Sequence, residues 1–325
     1  MASLKRYHSI QEIEAEPNYQ PRHPVSIDNY KLIVGWYKFP EGQEAQCCVQ
    51  KPNGNLCNTK HLHGFVAEIT DGTLTIIGGD CGTDKFGVDS TIGKDISYAR
   101  RAIDEQDKLA RLAELLAKRD EALHELLAFK TQLMSLRKTV AMHKDRVGRV
   151  AWNALMNMLR TGNSTIRVLG FTPEVCNDNG DVIQDRRSLV IQISSFSGTG
   201  VCNEAKITSA LDRIRQIEGA YKRAGEEAHL TLKPKEVRAL NAALADQPRE
   251  VAAARELIAQ MSLFEANDFT ALAFTVTDAG ERIRLIQYGL ERRDGSGSRN
   301  AAKKFLQEWE AILKLQYGVK HIRLQ

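Results

Sequence analysis

The 325-residue chain lacks any long run of apolar residues. A membrane-spanning helix requires about 20 consecutive, predominantly apolar residues, and no stretch of that kind occurs. The first residues, MASLKRYHSIQEIEAEP, also lack the apolar core of a secretory signal. We therefore expect a cytoplasmic protein without a membrane partner.

The chain also lacks the short motifs that carry nucleotide or hydrolase chemistry. It contains no GxxxxGK[ST], no GxSxG and no HExxH pattern. The glycine-rich stretches SGTG and DGSGS lack the lysine of a phosphate-binding loop, so they are interpreted as turns. A metal-dependent hydrolase or nuclease is the least favoured function, and its base would have to be Glu68 or Asp80.

Cysteine is scarce but clustered, and this is the most informative feature of the sequence. Four of the six cysteines and two of the eight histidines lie between residues 47 and 81. Clustered thiols in a reducing compartment are more often metal ligands than disulfides. The candidate metal ligands are Cys47, Cys48, Cys57, His61, His63 and Cys81.

Zinc requires four sulfur or nitrogen ligands in a tetrahedron, so two choices remain open among these six residues. Cys47 and Cys48 are adjacent and point to opposite faces of a strand, so one of them is expected to ligate, with Cys47 slightly favoured. Either His61 or His63 could supply the nitrogen. Four good ligands close the site, which favours structural Zn²⁺ over a catalytic ion or an iron–sulfur cluster. Buried thiols beside two surface histidines are the competing interpretation.

The stretches CNTKHLHGFV and DGTLTIIGGDCG resemble small zinc-ribbon units of bacterial and phage proteins. The resemblance covers a short part of the chain and implies metal binding only. Around it, alternating apolar segments and an Asp71-Gly72 turn predict a small antiparallel β domain over residues 1–94.

A helical domain is predicted over residues 95–265. No proline occurs between Asp95 and Arg160, and Gly148 is expected to kink or break the first helix. Apolar residues recur at heptad spacing before and after a β insertion at 164–198. These features predict a long antiparallel helical hairpin of coiled-coil type, with an intermolecular coiled coil as the alternative.

The C-terminal segment, 266–325, is predicted to hold a β-hairpin followed by a helix. FTALAFTV and RIRLIQYGL are interpreted as the two strands, and AAKKFLQEWEAILKLQYG as the helix. The chain as a whole is therefore expected to belong to the α+β class.

Charge is unevenly distributed along the chain. The net charge is +4, yet residues 130–160 hold seven Lys or Arg residues and one acidic residue. Such a patch could neutralise the phosphates of DNA or RNA, although a solvated helix face has the same composition. The candidate nucleic-acid-binding residues are Lys130, Arg137, Lys138, Lys144, Arg146 and Arg149.

Taken together, these features predict a non-enzymatic, zinc-stabilised binding or scaffold protein that engages nucleic acid through this helical surface. The alternative is a protein-assembly module, in which the helical seams join copies of the chain or hold a partner complex.

Overall fold

A four-stranded mixed sheet forms the centre of the first of two units, which contains residues up to Glu114 and a short segment ending at Arg238. The structure is a computed structural model that describes residues 4–176, 178–179, 182–184, 186–226 and 232–324. The sheet order is β1-β2-β5-β6, with β1 parallel to β2 and the other neighbours antiparallel. The elements that begin in this unit are β1 (Lys5–Tyr7), α1 (Ile10–Glu14), β2 (Tyr30–Lys38), β3 (Ala45–Gln46), β4 (Lys60–His61), β5 (His63–Ile69), β6 (Leu74–Gly78), α2 (Cys81–Phe86) and α3 (Thr91–Ala117).

The hairpin β5–β6 forms at the predicted Asp71-Gly72 turn. The Asp71 carboxylate accepts a hydrogen bond from the Thr73 amide at 2.8 Å, and Gly72 adopts a φ of 87°. Glycine reaches this left-handed conformation without a steric penalty, which explains why the dipeptide closes the hairpin. The strand predicted over residues 44–49 is shorter than expected, since regular pairing is confined to β3.

The second unit holds the long helices and a separate sheet. The remaining elements of the chain are α4 (Arg119–Thr161), β7 (Thr165–Phe171), β8 (Val175–Cys176), β9 (Val182–Gln184), β10 (Ser188–Ser195), α5 (Glu204–Glu226), α6 (Pro234–Ala245), α7 (Gln247–Glu265), α8 (Ala279–Asp294), α9 (Arg299–Tyr317) and β11 (His321–Leu324).

Helices α4 and α5 pack against each other in opposite directions. Lys130 pairs with Glu218 at 2.7 Å, and Lys144 pairs with Glu204 at 2.6 Å, so residues further along α4 meet residues earlier in α5. Helix α7 packs against both α4 and α5. Gly148 has a φ of 77° and a ψ of 170°, which interrupts α4 at the predicted position.

Strands form where the β insertion was predicted, and β7 is the central strand of a three-stranded sheet ordered β10-β7-β11. Both neighbours run antiparallel to β7. Ile166, Val168 and Ile191 are buried on one face of this sheet. The 3₁₀ segment Phe269–Phe274 contacts β7 and β10.

The predicted C-terminal β-hairpin is wrong, because both of its strands are helical. Phe269–Phe274 forms the 3₁₀ segment, and RIRLIQYGL lies within α8. The Asp278 side chain accepts a hydrogen bond from the Glu281 amide at 2.7 Å and so caps α8. Because Asp followed three residues later by Glu is a helix-start signal, the helix was readable from the sequence.

The overall class is mixed α+β with long helices, as predicted. The last helix, α9, also forms where it was expected. The division into domains 1–94, 95–265 and 266–325 concerns independent folding and stays a prediction.

Candidate metal centre

An irregular hairpin positions two of the candidate cysteines. Cys47 donates its amide to the Thr59 carbonyl at 2.9 Å, and the Cys57 amide donates to the Val49 carbonyl at 2.8 Å. Asn58, with a φ of 57°, turns the chain between these two pairings. Asparagine is one of the few side chains that tolerate this region, so the turn is compatible with the sequence. The Cys47 and Cys57 side chains thereby reach the same side of the hairpin.

The third cysteine arrives from the end of strand β6. Gly78 is the last residue of the strand, Gly79 follows it, and Cys81 begins the short helix α2. A β-carbon on Gly78 would collide with the His61 ring, and one on Gly79 would lie 2.6 Å from the His63 ring. The two glycines therefore leave the space in which both imidazoles lie.

Three sulfur atoms converge at this point, and we call Cys47, Cys57 and Cys81 the sulfur cluster. Their ligand atoms all lie within 4.8 Å of one another, and the Sγ atoms of Cys57 and Cys81 are 3.5 Å apart. A tetrahedral zinc ion with Zn–S bonds of about 2.3 Å separates its sulfur ligands by about 3.8 Å. The cluster could therefore hold a metal ion with little movement of its side chains.

His61 is the candidate nitrogen ligand that the structure brings to the cluster. Its Nε2 atom lies 3.2 Å from Cys81 Sγ. Within the described residues, the group with mutually close ligand atoms holds the three cysteines and no histidine, so completing four ligands requires the His61 ring to move towards the other sulfurs. His63 packs against Gly79 instead.

Cys48 points away from the sulfur cluster. Cys47 belongs to the core that contains Cys81, whereas Cys48 belongs to the core on the other side of the sheet, with Tyr37 and Val66. The structure therefore separates the adjacent cysteines as strand alternation predicts. The structure therefore favours Cys47 over Cys48 as the candidate ligand.

The surroundings of the sulfur cluster shift the pKa values of its three thiols in different directions. Burial raises the pKa of Cys47. Burial together with the neighbouring Cys47 and Cys57 raises that of Cys81. Burial also acts to raise the pKa of Cys57, but hydrogen bonds from Thr59 outweigh it and lower the value. A divalent cation reverses this balance, because it stabilises thiolates that would otherwise repel one another.

Backbone and side-chain donors already surround the sulfurs. The Gly78 amide donates to Cys47 Sγ at 3.3 Å, and the Thr59 hydroxyl lies 3.2 Å from Cys57 Sγ. Arg100, on α3, donates to the Gly79 carbonyl and to the Asp80 carboxylate at 2.5 and 2.7 Å. Donors to the sulfurs fix metal ligands in place. Arg100 instead holds the backbone that leads into Cys81, and no local motif marks this role because Arg100 lies on a separate helix.

Neither carboxylate considered as a catalytic base is free. Asp80 is paired with Arg100, and Glu68 forms a 2.6 Å ion pair with Lys31. Glu68 also pairs with Leu74 in the sheet register, at the opposite end of β5 from His63. Both carboxylates therefore form ion pairs with basic side chains of the first unit.

The helical basic residues divide into two groups. Lys130, Lys144 and Arg146 form ion pairs with Glu218, Glu204 and Glu291 respectively. Among the described residues, the other three form no ion pair and are exposed, and we call them the free helical cations: Arg137, Lys138 and Arg149. Half of the predicted nucleic-acid-binding set thus takes part in packing within the second unit.

Comparison of the chain with protein-family models, with curated proteins and with solved structures finds no match in any of the three. Among the described helices, none combines the length and apolar character needed to cross a membrane.

Proposed function

We propose that the protein is a non-enzymatic binding or scaffold protein whose first unit is stabilised by one Zn²⁺ ion. The ligands are Cys47, Cys57, Cys81 and His61. The convergence of three buried or half-buried sulfurs within 4.8 Å carries this proposal. Bound zinc would hold the irregular hairpin against the end of β6, to which the Cys48 amide already donates a 2.8 Å hydrogen bond at the Ile76 carbonyl.

The donor set favours zinc over the alternatives. Three thiolates and one imidazole form a closed tetrahedral site of the zinc-ribbon type, whereas iron–sulfur clusters rarely use histidine. Soft thiolates also discriminate against magnesium and calcium, which prefer oxygen ligands. Thiols remain reduced and available to a metal in the cytoplasm, which is the compartment that we propose.

Elemental analysis of the purified full-length protein tests the metal proposal. We expect about one zinc per chain, since the four ligands close a single site. Cys57→Ser and Cys81→Ser should lose it, whereas Cys48→Ala, in the neighbouring core, should retain it. His61→Ala should weaken retention under a competing chelator, and His63→Ala should not. Equal zinc content in the Cys81→Ser and Cys48→Ala proteins would contradict the assignment.

For the partner, we propose nucleic acid, held through the free helical cations. Arg137 and Lys138 are exposed and adjacent on α4, and Arg149 follows the interruption at Gly148. Each phosphate contact that is removed should reduce the salt dependence of binding. Reversal of Arg137 and Lys138 to Glu should weaken binding of duplex DNA or RNA in a shift assay. Reversal of the paired Lys130 is the matched control, because its charge is already neutralised by Glu218.

Protein assembly is the second candidate function, and exposed apolar residues on α4 favour it. Leu127 is 56% exposed, Met134 46% and Met142 48%. Apolar side chains on the outside of a helical packing of coiled-coil type are typical of association surfaces. Light scattering over a concentration series tests this function. A mass that rises with concentration and falls after Leu127→Glu and Met134→Glu would support it, whereas a constant monomer mass would contradict it.

A further inference from the structure

The three-stranded sheet of the second unit has one buried and one exposed face. Ile166, Val168 and Ile191 are buried on the inner side. The residues that alternate with them are exposed or half-buried, and Val190 is 57% exposed. We call this set the outer sheet face: Arg167, Leu169, Phe171, Ser188, Val190, Gln192, His321 and Arg323.

The strand register groups apolar, aromatic and basic side chains on this face. His321 lies directly opposite Phe171, and Arg323 lies directly opposite Leu169. Opposed residues of antiparallel strands lie on the same face with their β-carbons about 5 Å apart. The Arg186 guanidinium lies 5.7 Å from the centre of the Phe171 ring. The outer sheet face therefore carries two rings, with a guanidinium beside one of them.

The charge of the outer sheet face has one sign. Strands β7, β10 and β11 contain no acidic residue. Arg167 and Arg323 belong to this face and are exposed, and so is Arg186 beside the Phe171 ring. None of these cations forms an ion pair with a described acidic residue, in contrast to Lys130, Lys144 and Arg146 on the helix. The face therefore presents unneutralised positive charge around apolar rings.

We propose that the outer sheet face binds single-stranded nucleic acid. Unpaired bases would stack on Phe171, His321 and the Arg186 guanidinium, and the phosphates would be neutralised by Arg167 and Arg323. This inference deepens the nucleic-acid part of the proposed function, on which it depends only for the class of partner. It differs from that proposal in placing contact on the sheet rather than on α4.

The aromatic character of the face favours a single strand over a duplex. Stacking requires bases whose faces are not already covered, and single-stranded segments offer them to aromatic side chains. RNA and DNA share the phosphates and base rings on which this argument depends, so the test includes both.

Fluorescence anisotropy with labelled oligonucleotides of about 15 nucleotides, (dT) and (U), tests the proposal in the full-length protein. The double variant Arg167→Ser, Arg323→Ser removes two phosphate contacts. The slope of log affinity against log salt should therefore become shallower by about 1.4, at about 0.7 per phosphate on a single strand. Phe171→Leu keeps the apolar volume but loses the stacking ring, so affinity should fall about tenfold while the salt slope stays unchanged.

The helical variant Arg137→Glu, Lys138→Glu is the matched comparison, and thermal unfolding confirms that each variant is folded. The sheet assignment is supported if the sheet variants lose affinity for single strands and the helical variant binds them fully. The reverse pattern overturns it and leaves the helical proposal intact. Retained binding to duplexes without binding to single strands also overturns the sheet assignment and leaves the helical proposal intact. Absence of binding to every oligonucleotide, with zinc present, overturns both assignments and indicates a protein partner, such as a peptide strand added at an edge of the sheet.

Discussion

The two units each hold polar side chains close together, but their partners differ. In the first unit, three thiols converge in the sulfur cluster, and among the described residues no lysine or arginine side chain donates a hydrogen bond to their sulfurs. In the second unit, the fully buried His143 has Nδ1 2.5 Å from the Tyr288 hydroxyl and stacks on Phe269, while its Nε2 has no hydrogen-bond partner among the described residues. We therefore expect the first unit to respond mainly to a metal ion and the second to protonation of His143.

Metal removal should give the largest effect and should be confined to the first unit. Structural zinc supplies on the order of 10 kcal/mol in small metal-dependent folds, so chelation should unfold much of the region around β5 and β6. Hydrogen–deuterium exchange by mass spectrometry resolves the two units in the same sample. We expect protection to be lost over residues 45–81 and to be retained in α4 and α5.

Cys48→Ala provides the control for this experiment, because it alters a buried thiol of the same unit outside the sulfur cluster. Chelation should reduce hydrogen-exchange protection over residues 45–81 in this variant as much as in the unaltered protein. Loss of protection in α4 and α5 on the same time course would break the comparison, since both units would then depend on the ion.

The second unit should instead respond to pH through His143. Burial, together with the nearby Arg292, lowers the pKa of His143 to about 4, below the value of about 6.5 in an unfolded chain. The unfolded chain therefore binds the proton first as the pH falls, so stability is present above pH 6.5 and is lost progressively between 6.5 and 4. A shift of this size corresponds to about 3 kcal/mol in total.

Urea unfolding followed by circular dichroism between pH 7 and 4.5 measures this loss. The variant His143→Gln retains an amide near Tyr288 but does not titrate, so its stability should change less over the same range. Equal pH dependence in both proteins would assign the effect to groups other than His143.

Gly148→Ala should destabilise the second unit by a smaller amount. At a φ of 77° and a ψ of 170°, the backbone occupies a region almost restricted to glycine, and another residue there costs about 2 kcal/mol. Gly219→Ala is the matched control. Gly219 lies within α5 with open space at its β-carbon position, so alanine should be neutral or stabilising there. Thermal unfolding of both variants compares them, and equal effects would argue that α4 can straighten.

Local patterns predicted those parts of the fold that local physics decides. The Asp71-Gly72 turn and the interruption at Gly148 follow from backbone preferences of a few residues. The choice between Cys47 and Cys48 does not, because both fit the spacing equally and the decision depends on which face of the segment meets the core. The choice between His61 and His63 also depends on packing, because the His61 ring lies against Gly78 and the His63 ring lies against Gly79.

Two other features show where sequence interpretation failed for different reasons. The α8 helix was missed although its Asp278 cap was readable, because alternating apolar residues in RIRLIQYGL were given more weight than the start signal. The pairing of half of the helical basic residues could not be read at all. Glu218, Glu204 and Glu291 are distant in sequence, so only the packing of helices reveals that they neutralise the patch.

The smallest predicted effect concerns the register of α4 and α5. Lys130 and Glu218 are about three-quarters or more buried, with side-chain exposures of 25% and 18%, and the Lys130 hydrogen bond lowers the pKa of Glu218. A double-mutant cycle with Lys130→Met and Glu218→Gln should give a coupling energy of about 0.5–1 kcal/mol, above that of most exposed pairs. Lys222 also contacts Glu218, so the cycle is repeated in a Lys222→Met background to remove that contribution. A coupling energy near zero in both backgrounds would mean that these residues do not face each other in solution, and the antiparallel register would then have to shift.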